Sequence, residues 1–182
     1  MVGLLSFLLA SLYLMQLLLF VAAAKGSQVL LIAAMVVLVF GIAGAVANIV
    51  YAVIRTPKLL SERQYRKTVS LQVLVFKLLA IPFFFINFGI ASFFTSLFII
   101  MPGGIFILGL VIPLCVGLAF LVMLATSIYS IMLVGALKAE GSIDMRKCVL
   151  YIICQLLFVV DIINQFFVVR LVRRSLDTSY SA

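Results

Sequence analysis

Apolar residues in this chain fall into long blocks separated by short polar stretches, and the lengths of the blocks predict its elements. The first block covers residues 3–24 and the second 29–54, with only Lys25-Gly26-Ser27-Gln28 between them. At about 1.5 Å of helical rise per residue, each can cross a hydrocarbon core roughly 30 Å thick. So short a connection returns the second helix antiparallel beside the first. Pro57 cannot continue the hydrogen-bond ladder and disfavours helical geometry at Thr56, so Arg55-Thr56-Pro57 predicts the end of that helix. Residues 55–68 are the most polar segment. Within it, Ser61 and Gln64 have capping-box spacing, which starts a third helix near Glu62 that turns apolar at Val69. From Val69 to Leu137 the apolar run is more than two spans long, and Met101-Pro102-Gly103-Gly104 is the place where it can turn back. A polar loop at 138–147, a last apolar block at 148–169 and a basic, then Ser-rich, tail at 170–182 complete the chain. The tail is expected to be mobile.

The pattern predicts an all-α polytopic transmembrane bundle of four to five spans. It forms a single domain over 1–169, with helices at about 3–24, 29–54, 69–100, 105–137 and 148–169. Composition agrees: 67% of the 182 residues are hydrophobic and 10% charged, against about 45–50% and about 25% in soluble domains. The bilayer is the expected partner and the cell membrane the expected location. The first block ends in Ala22-Ala23-Ala24, which resembles a signal-peptide cleavage site. However, no Lys or Arg precedes the block and it is longer than a signal-peptide core, so a retained helix is expected.

The net charge of +8 would suit nucleic acid, but the positions of the charges argue against it. Every Lys and Arg except Lys77 lies between or beyond the apolar blocks, where basic residues set membrane orientation. With the N-terminus cytoplasmic, the cytoplasmic side receives Arg55, Lys58, Arg63, Arg66 and Lys67 from one loop, and Lys138, Arg146 and Lys147 from another. Lys25 falls on the other side. If the last block spans, Arg170, Arg173 and Arg174 join Lys25, against the rule; if it re-enters or lies along the inner surface, they join the cytoplasmic set. Both topologies remain open at this level, with five spans the first expectation.

Lys77 and Asp161 stand inside apolar runs, where a charge is costly and marks either a functional path or a mutual pairing. Three readings follow: Lys77 snorkels to the headgroups, Lys77 and Asp161 pair, or they belong to a substrate or proton path with Asn87, Asn164 and Gln165. Asp161, Asn164 and Gln165 share one helical face. If the last block spans, both charged helices run outward, with Lys77 and Asp161 offset by about 7–8 Å in depth. Gly41, Gly44 and Ala45 in the second helix, and Gly109 and Gly117 in the fourth, have spacings that admit close helix packing. Pro82 and Pro113 are expected to kink their helices, and Asn87 to satisfy a freed backbone group or line a cavity.

The sequence offers no His, no paired catalytic carboxylates, no phosphate-binding loop and no metal-ligand spacing, so neither catalytic residues nor a cofactor or metal is expected. Cys115, Cys148 and Cys154 lack metal or disulfide spacing and read as small hydrophobes. Three stretches carry a resemblance: Lys77 through Phe88 with its Ile81-Pro82-Phe83 core; Thr126-Ser127 followed by Tyr129-Ser130; and Gln155 through Phe158 and Val159 to Asp161. They resemble an uncharacterised family of small polytopic membrane proteins of Gram-positive bacteria, over the second half of the chain. The resemblance implies a multi-pass membrane location without a known activity. The leading expectation is a non-enzymatic accessory or immunity-type membrane subunit that meets a membrane protein partner through lateral helix contacts. The alternatives are a small transporter or channel component and a membrane enzyme acting on lipid.

Overall fold

A computed structural model describes residues 2–101, 104–155, 157 and 160–180. Among them the chain forms six α-helices and no strand: α1 (Val2–Lys25), α2 (Gln28–Ser61), α3 (Arg63–Ile100), α4 (Gly104–Ala139), α5 (Met145–Gln155) and α6 (Val160–Tyr180). The molecule is an all-α bundle. Four segments, Val2–Ala22, Gln28–Lys58, Tyr65–Ile100 and Leu108–Ala139, are long and apolar enough to cross a membrane.

α1 and α2 form an antiparallel hairpin. Gly26 takes a positive φ of 61°, and the Ser27 N–H then closes onto the Ala22 carbonyl at 3.2 Å, as in other glycine-terminated helices. The small residues of α2 face α1: a Cβ at Gly41 would lie 3.0 Å from Ser11 Oγ, and one at Gly44 would lie 2.9 Å from Phe7 Cδ1. Ala45 is fully buried. On α4 the expectation of glycine-mediated packing fails, because a Cβ at Gly109 or Gly117 would meet nothing within 4 Å. Their face of α4 turns outward.

Pro57 does not end α2, which continues to Ser61 with the proline inside it. Thr56 and Leu60 on either side of it are buried, so packing holds this turn despite the missing donor. Ser61 is the last residue of α2, and α3 begins after it. The N-cap is Glu62, with φ −86° and ψ 113° and no side-chain cap hydrogen bond. The chain reverses again between Ile100 and Gly104; Pro102 and Gly103 of the expected turn lie outside the described residues.

α2 packs on both α1 and α4, and α3 packs on α4. Leu5, Leu8, Leu12, Phe83, Leu133 and Leu137 lie in the common core. At one end Arg66 is buried, donates from Nε to the Leu60 carbonyl at 2.6 Å and forms an ion pair with Glu140. This brings the 55–68 and 138–147 segments to the same end of the bundle, here called the basic end.

The last block departs most from expectation. Instead of one helix over 148–169, the chain makes α5, a break, and α6, and the tail is helical as far as Tyr180. α4 closes on Gly141, φ 73°, with the Ser142 N–H donating to the Leu137 carbonyl at 3.0 Å. Asp144 Oδ1 then accepts the Met145 N–H at 2.8 Å as α5 begins. α6 folds back along α5: Asn164 Nδ2 donates to the Tyr151 carbonyl at 2.9 Å, and one groove is lined by Lys147 and Phe167 as well as by Cys154 and Val160. Residue numbers rise on one helix as they fall on the other, so α5 and α6 are antiparallel.

Candidate functional site: a buried polar cluster at the tip of the hairpin

Lys77 lies fourteen residues into α3, near its middle. Its ammonium donates to Asp161 Oδ1 and Gln155 Oε1, and Asp161 Oδ1 also accepts from Ser127 Oγ of α4 at 3.0 Å. All four are buried, with Lys77 2% and Asp161 3% exposed. Ser130 of α4 donates to Gln165 Oε1, and Gln165 Nε2 donates to the Ser70 carbonyl of α3 at 3.2 Å.

These pairings fix the direction of α6. Asp161 meets Lys77 and Ser127, whereas Gln165, one turn later, meets Ser70 and Ser130. Along α6 the partners step back on α3 and forward on α4, so α6 runs antiparallel to α3 and parallel to α4. The single last helix expected over 148–169, parallel to α3 if it spans, is replaced by α5 and an α6 antiparallel to α3. Lys77 and Asp161 consequently face each other directly instead of being offset in depth. The same register returns Arg170, Arg173 and Arg174 toward the basic end.

The break has a geometric reason. Gln155 and Asp161 are six residues apart; on a continuous helix they would point about 120° apart and be separated by about 9 Å along the axis, so one ammonium could not reach both. Ending α5 at Gln155 and restarting at Val160 delivers both side chains to Lys77. The helix ends reinforce the charges. Asp161 lies in the first turn of α6, where partial positive charge favours a carboxylate, and Lys77 meets the C-terminal residue of α5, where partial negative charge favours a cation. Gln155 Nε2 is buried without a hydrogen-bond partner.

The other expected site residues lie elsewhere. Asn164 turns to α5 and holds the hairpin together. Asn87 is ten residues beyond Lys77 on α3, about 15 Å along the axis, and donates to the Cys115 carbonyl of α4 at 2.8 Å. It satisfies neither proline's freed carbonyl, and it does not join a path to Asp161. Ser127, Ser130 and Gln155, which the sequence marks only as part of the resemblance and not as site residues, are further partners, as is the carbonyl of Ser70.

Two more polar contacts tie the bundle. Asn48 donates to the Ala125 carbonyl and accepts from Tyr129 Oη, both at 2.8 Å. At the proline of α3, Tyr13 of α1 donates to the Leu79 carbonyl at 2.6 Å and accepts the Phe83 N–H at 3.1 Å. Leu79 and Phe83 pair directly in an uninterrupted helix, so this hydroxyl inserts into the ladder one residue after Pro82. Tyr13→Phe removes the bridge and leaves a donor and an acceptor unmatched. It is expected to destabilise the fold by about 1–3 kcal/mol, read as a lower thermal midpoint in detergent; an unchanged midpoint would show that the ladder closes without it.

Among the described residues no group of three or more His, Cys, Asp or Glu side chains is placed to hold a metal. The description "Family of unknown function (DUF6652)" matches residues 2–174, well beyond the second half of the chain. No curated protein and no solved structure matches it.

Proposed function

We propose, for a chain that belongs to the DUF6652 family of unknown function, that it is a multi-pass integral membrane protein acting as a non-enzymatic accessory subunit. It has four spans and a re-entrant hairpin, with both termini cytoplasmic. One observation carries this reading: the charged and amide groups inside the bundle are engaged by side chains and backbone carbonyls of the bundle itself, while the outward faces are apolar. Lys77 is engaged by Asp161 and Gln155, and Gln165 by Ser130 and Ser70. Outside, Phe40, Phe85, Phe88, Ile100, Phe106 and Leu110 are each at least 60% exposed. Such a bundle meets other molecules through its flanks. The resemblance to small polytopic membrane proteins of Gram-positive bacteria favours the cell membrane as its location. Extraction in a mild detergent, followed by affinity isolation, is expected to retain one membrane protein partner in fixed stoichiometry. A reproducibly solitary monomer would count against the subunit reading.

A second reading, a transporter or channel component, is favoured by Gln155. A broken helix pair carrying charged groups is a known way to build an ion or substrate site, and the unpaired Gln155 Nε2 is a donor available to a ligand. This reading requires water at the pair. With Cys115, Cys148 and Cys154 replaced, a cysteine introduced by Ser127→Cys should then react with a polar thiol reagent in intact membranes. Complete protection supports a dry, structural cluster.

A further inference from the structure

The outer side of the α5–α6 hairpin carries a groove of about 390 Å³, within the roughly 300–1,000 Å³ typical of ligand sites. Its lining is graded along its length. Lys147, which is solvent-exposed, and Phe167 stand at the basic end; Leu150, Tyr151 and Ile163 line the middle, and Cys154 and Val160 close it near the tip. Of the other polar groups in the lining, the Tyr151 phenol and the Asn164 amide, the amide is turned to the Tyr151 carbonyl. The charge in the lining is therefore at one end, and it is cationic.

The surroundings extend that charge. Arg146 precedes Lys147 and is exposed. Arg170, also exposed, follows Ile163 and Phe167 on the same helical stripe at i+7 and i+3. Asp144, the nearby acid, accepts the Met145 N–H. The groove begins where α5 leaves the basic end and penetrates with it. Its lining on α5, from Lys147 to Cys154, rises about 10 Å, roughly a third of a bilayer core. A cationic mouth above a largely apolar slot is complementary to an anionic amphiphile.

We propose that this groove binds an anionic phospholipid of the leaflet facing the basic end, with one acyl chain between α5 and α6 and the headgroup phosphate at Lys147, Arg146 and Arg170. Basic pockets beside membrane helices recognise such headgroups by charge. The apolar slot supplies affinity and Lys147 supplies the preference for an anionic lipid.

Native mass spectrometry of the purified full-length protein, released from detergent with phosphatidylglycerol or phosphatidylcholine added, tests the assignment. Wild type is expected to retain one phosphatidylglycerol in preference to phosphatidylcholine. Lys147→Gln should lower that preference by roughly fivefold to tenfold, the effect of one basic residue near the membrane surface. Ile163→Trp, which fills the slot from an exposed position, should abolish retention of both lipids while helicity and monodispersity remain those of wild type. Equal retention of the two lipids by wild type would overturn the proposal. So would lipid binding unchanged by Ile163→Trp, or a dimer that Ile163→Trp dissolves, which would assign the groove to a second copy of the chain.

Discussion

Lys77→Met and Asp161→Leu are each expected to destabilise the protein by about 3–5 kcal/mol, and the double variant by clearly less than the sum. Either single change leaves a charge buried without its counter-charge, and that penalty is of this size. The remaining polar groups cannot absorb it: Ser127 donates one hydrogen bond to Asp161, and Gln155 offers Lys77 a neutral acceptor. In the double variant no charge remains, and two apolar side chains face each other, Met close to Lys in size and Leu bulkier than Asp. Replacing a buried pair in this way is often close to neutral, with a loss here because Ser127 and Gln155 are left without their partners. Loss of helicity on titration with sodium dodecyl sulfate in mixed micelles measures all four corners of the cycle, and a coupling above about 1 kcal/mol is the expected sign of a direct pair. Additive losses would mean that Lys77 and Asp161 are held separately by their neighbours.

Several features were legible in the sequence because the bilayer imposes them. The four long apolar helices follow from block length, and Lys77 and Asp161 stand out because a charge inside an apolar run demands an explanation. The packing of Gly41 and Gly44 against α1 follows from their spacing, yet Gly109 and Gly117 have comparable spacing and face outward; spacing states what a face permits, not what is laid against it. Pro57 shows the same limit from the other side, since buried Thr56 and Leu60 carry α2 past it. The break after Gln155 was hidden because Leu156, Leu157, Phe158 and Val159 contain neither proline nor glycine. On either side of it Gln155 and Asp161 meet Lys77 of α3, and Asp161 meets Ser127 of α4, contacts that the local sequence does not show. The roles of Ser70, Ser127 and Ser130 were hidden for another reason: a serine in an apolar helix commonly bonds its own backbone, as Ser70 Oγ does to the Lys67 carbonyl at 2.8 Å. Its contact with Gln165 uses the Ser70 carbonyl, which carries no sequence signal at all. One signal did point to the hairpin, the three arginines after the last apolar block.

Reporters fused after Ala182 and inserted in the loop around Gly141 are expected to report the same side of the membrane, with a third at Gly26 reporting the opposite side. Two independent arguments lead there. The first is geometric: the Asp161–Lys77 contact and the Gln165–Ser70 carbonyl contact together admit only an α6 antiparallel to α3, and α3 leaves the basic end beside Arg66 and Glu140. The second is electrostatic. With α6 returning, Arg170, Arg173 and Arg174 join the eight basic residues of the 55–68 and 138–147 segments, leaving Lys25 alone at the far end and Lys77 in the interior. That is the asymmetry expected when short loops rich in Lys and Arg stay cytoplasmic. A C-terminal reporter on the Gly26 side would require the last block to span, which reverses α6 against α3. Asp161 and Gln165 could not then keep partners seven residues apart in that order, so the same result would dismantle the buried cluster as well as the topology. Because the readout is all or none, it separates the re-entrant hairpin from a fifth span even if the subunit and lipid proposals both fail.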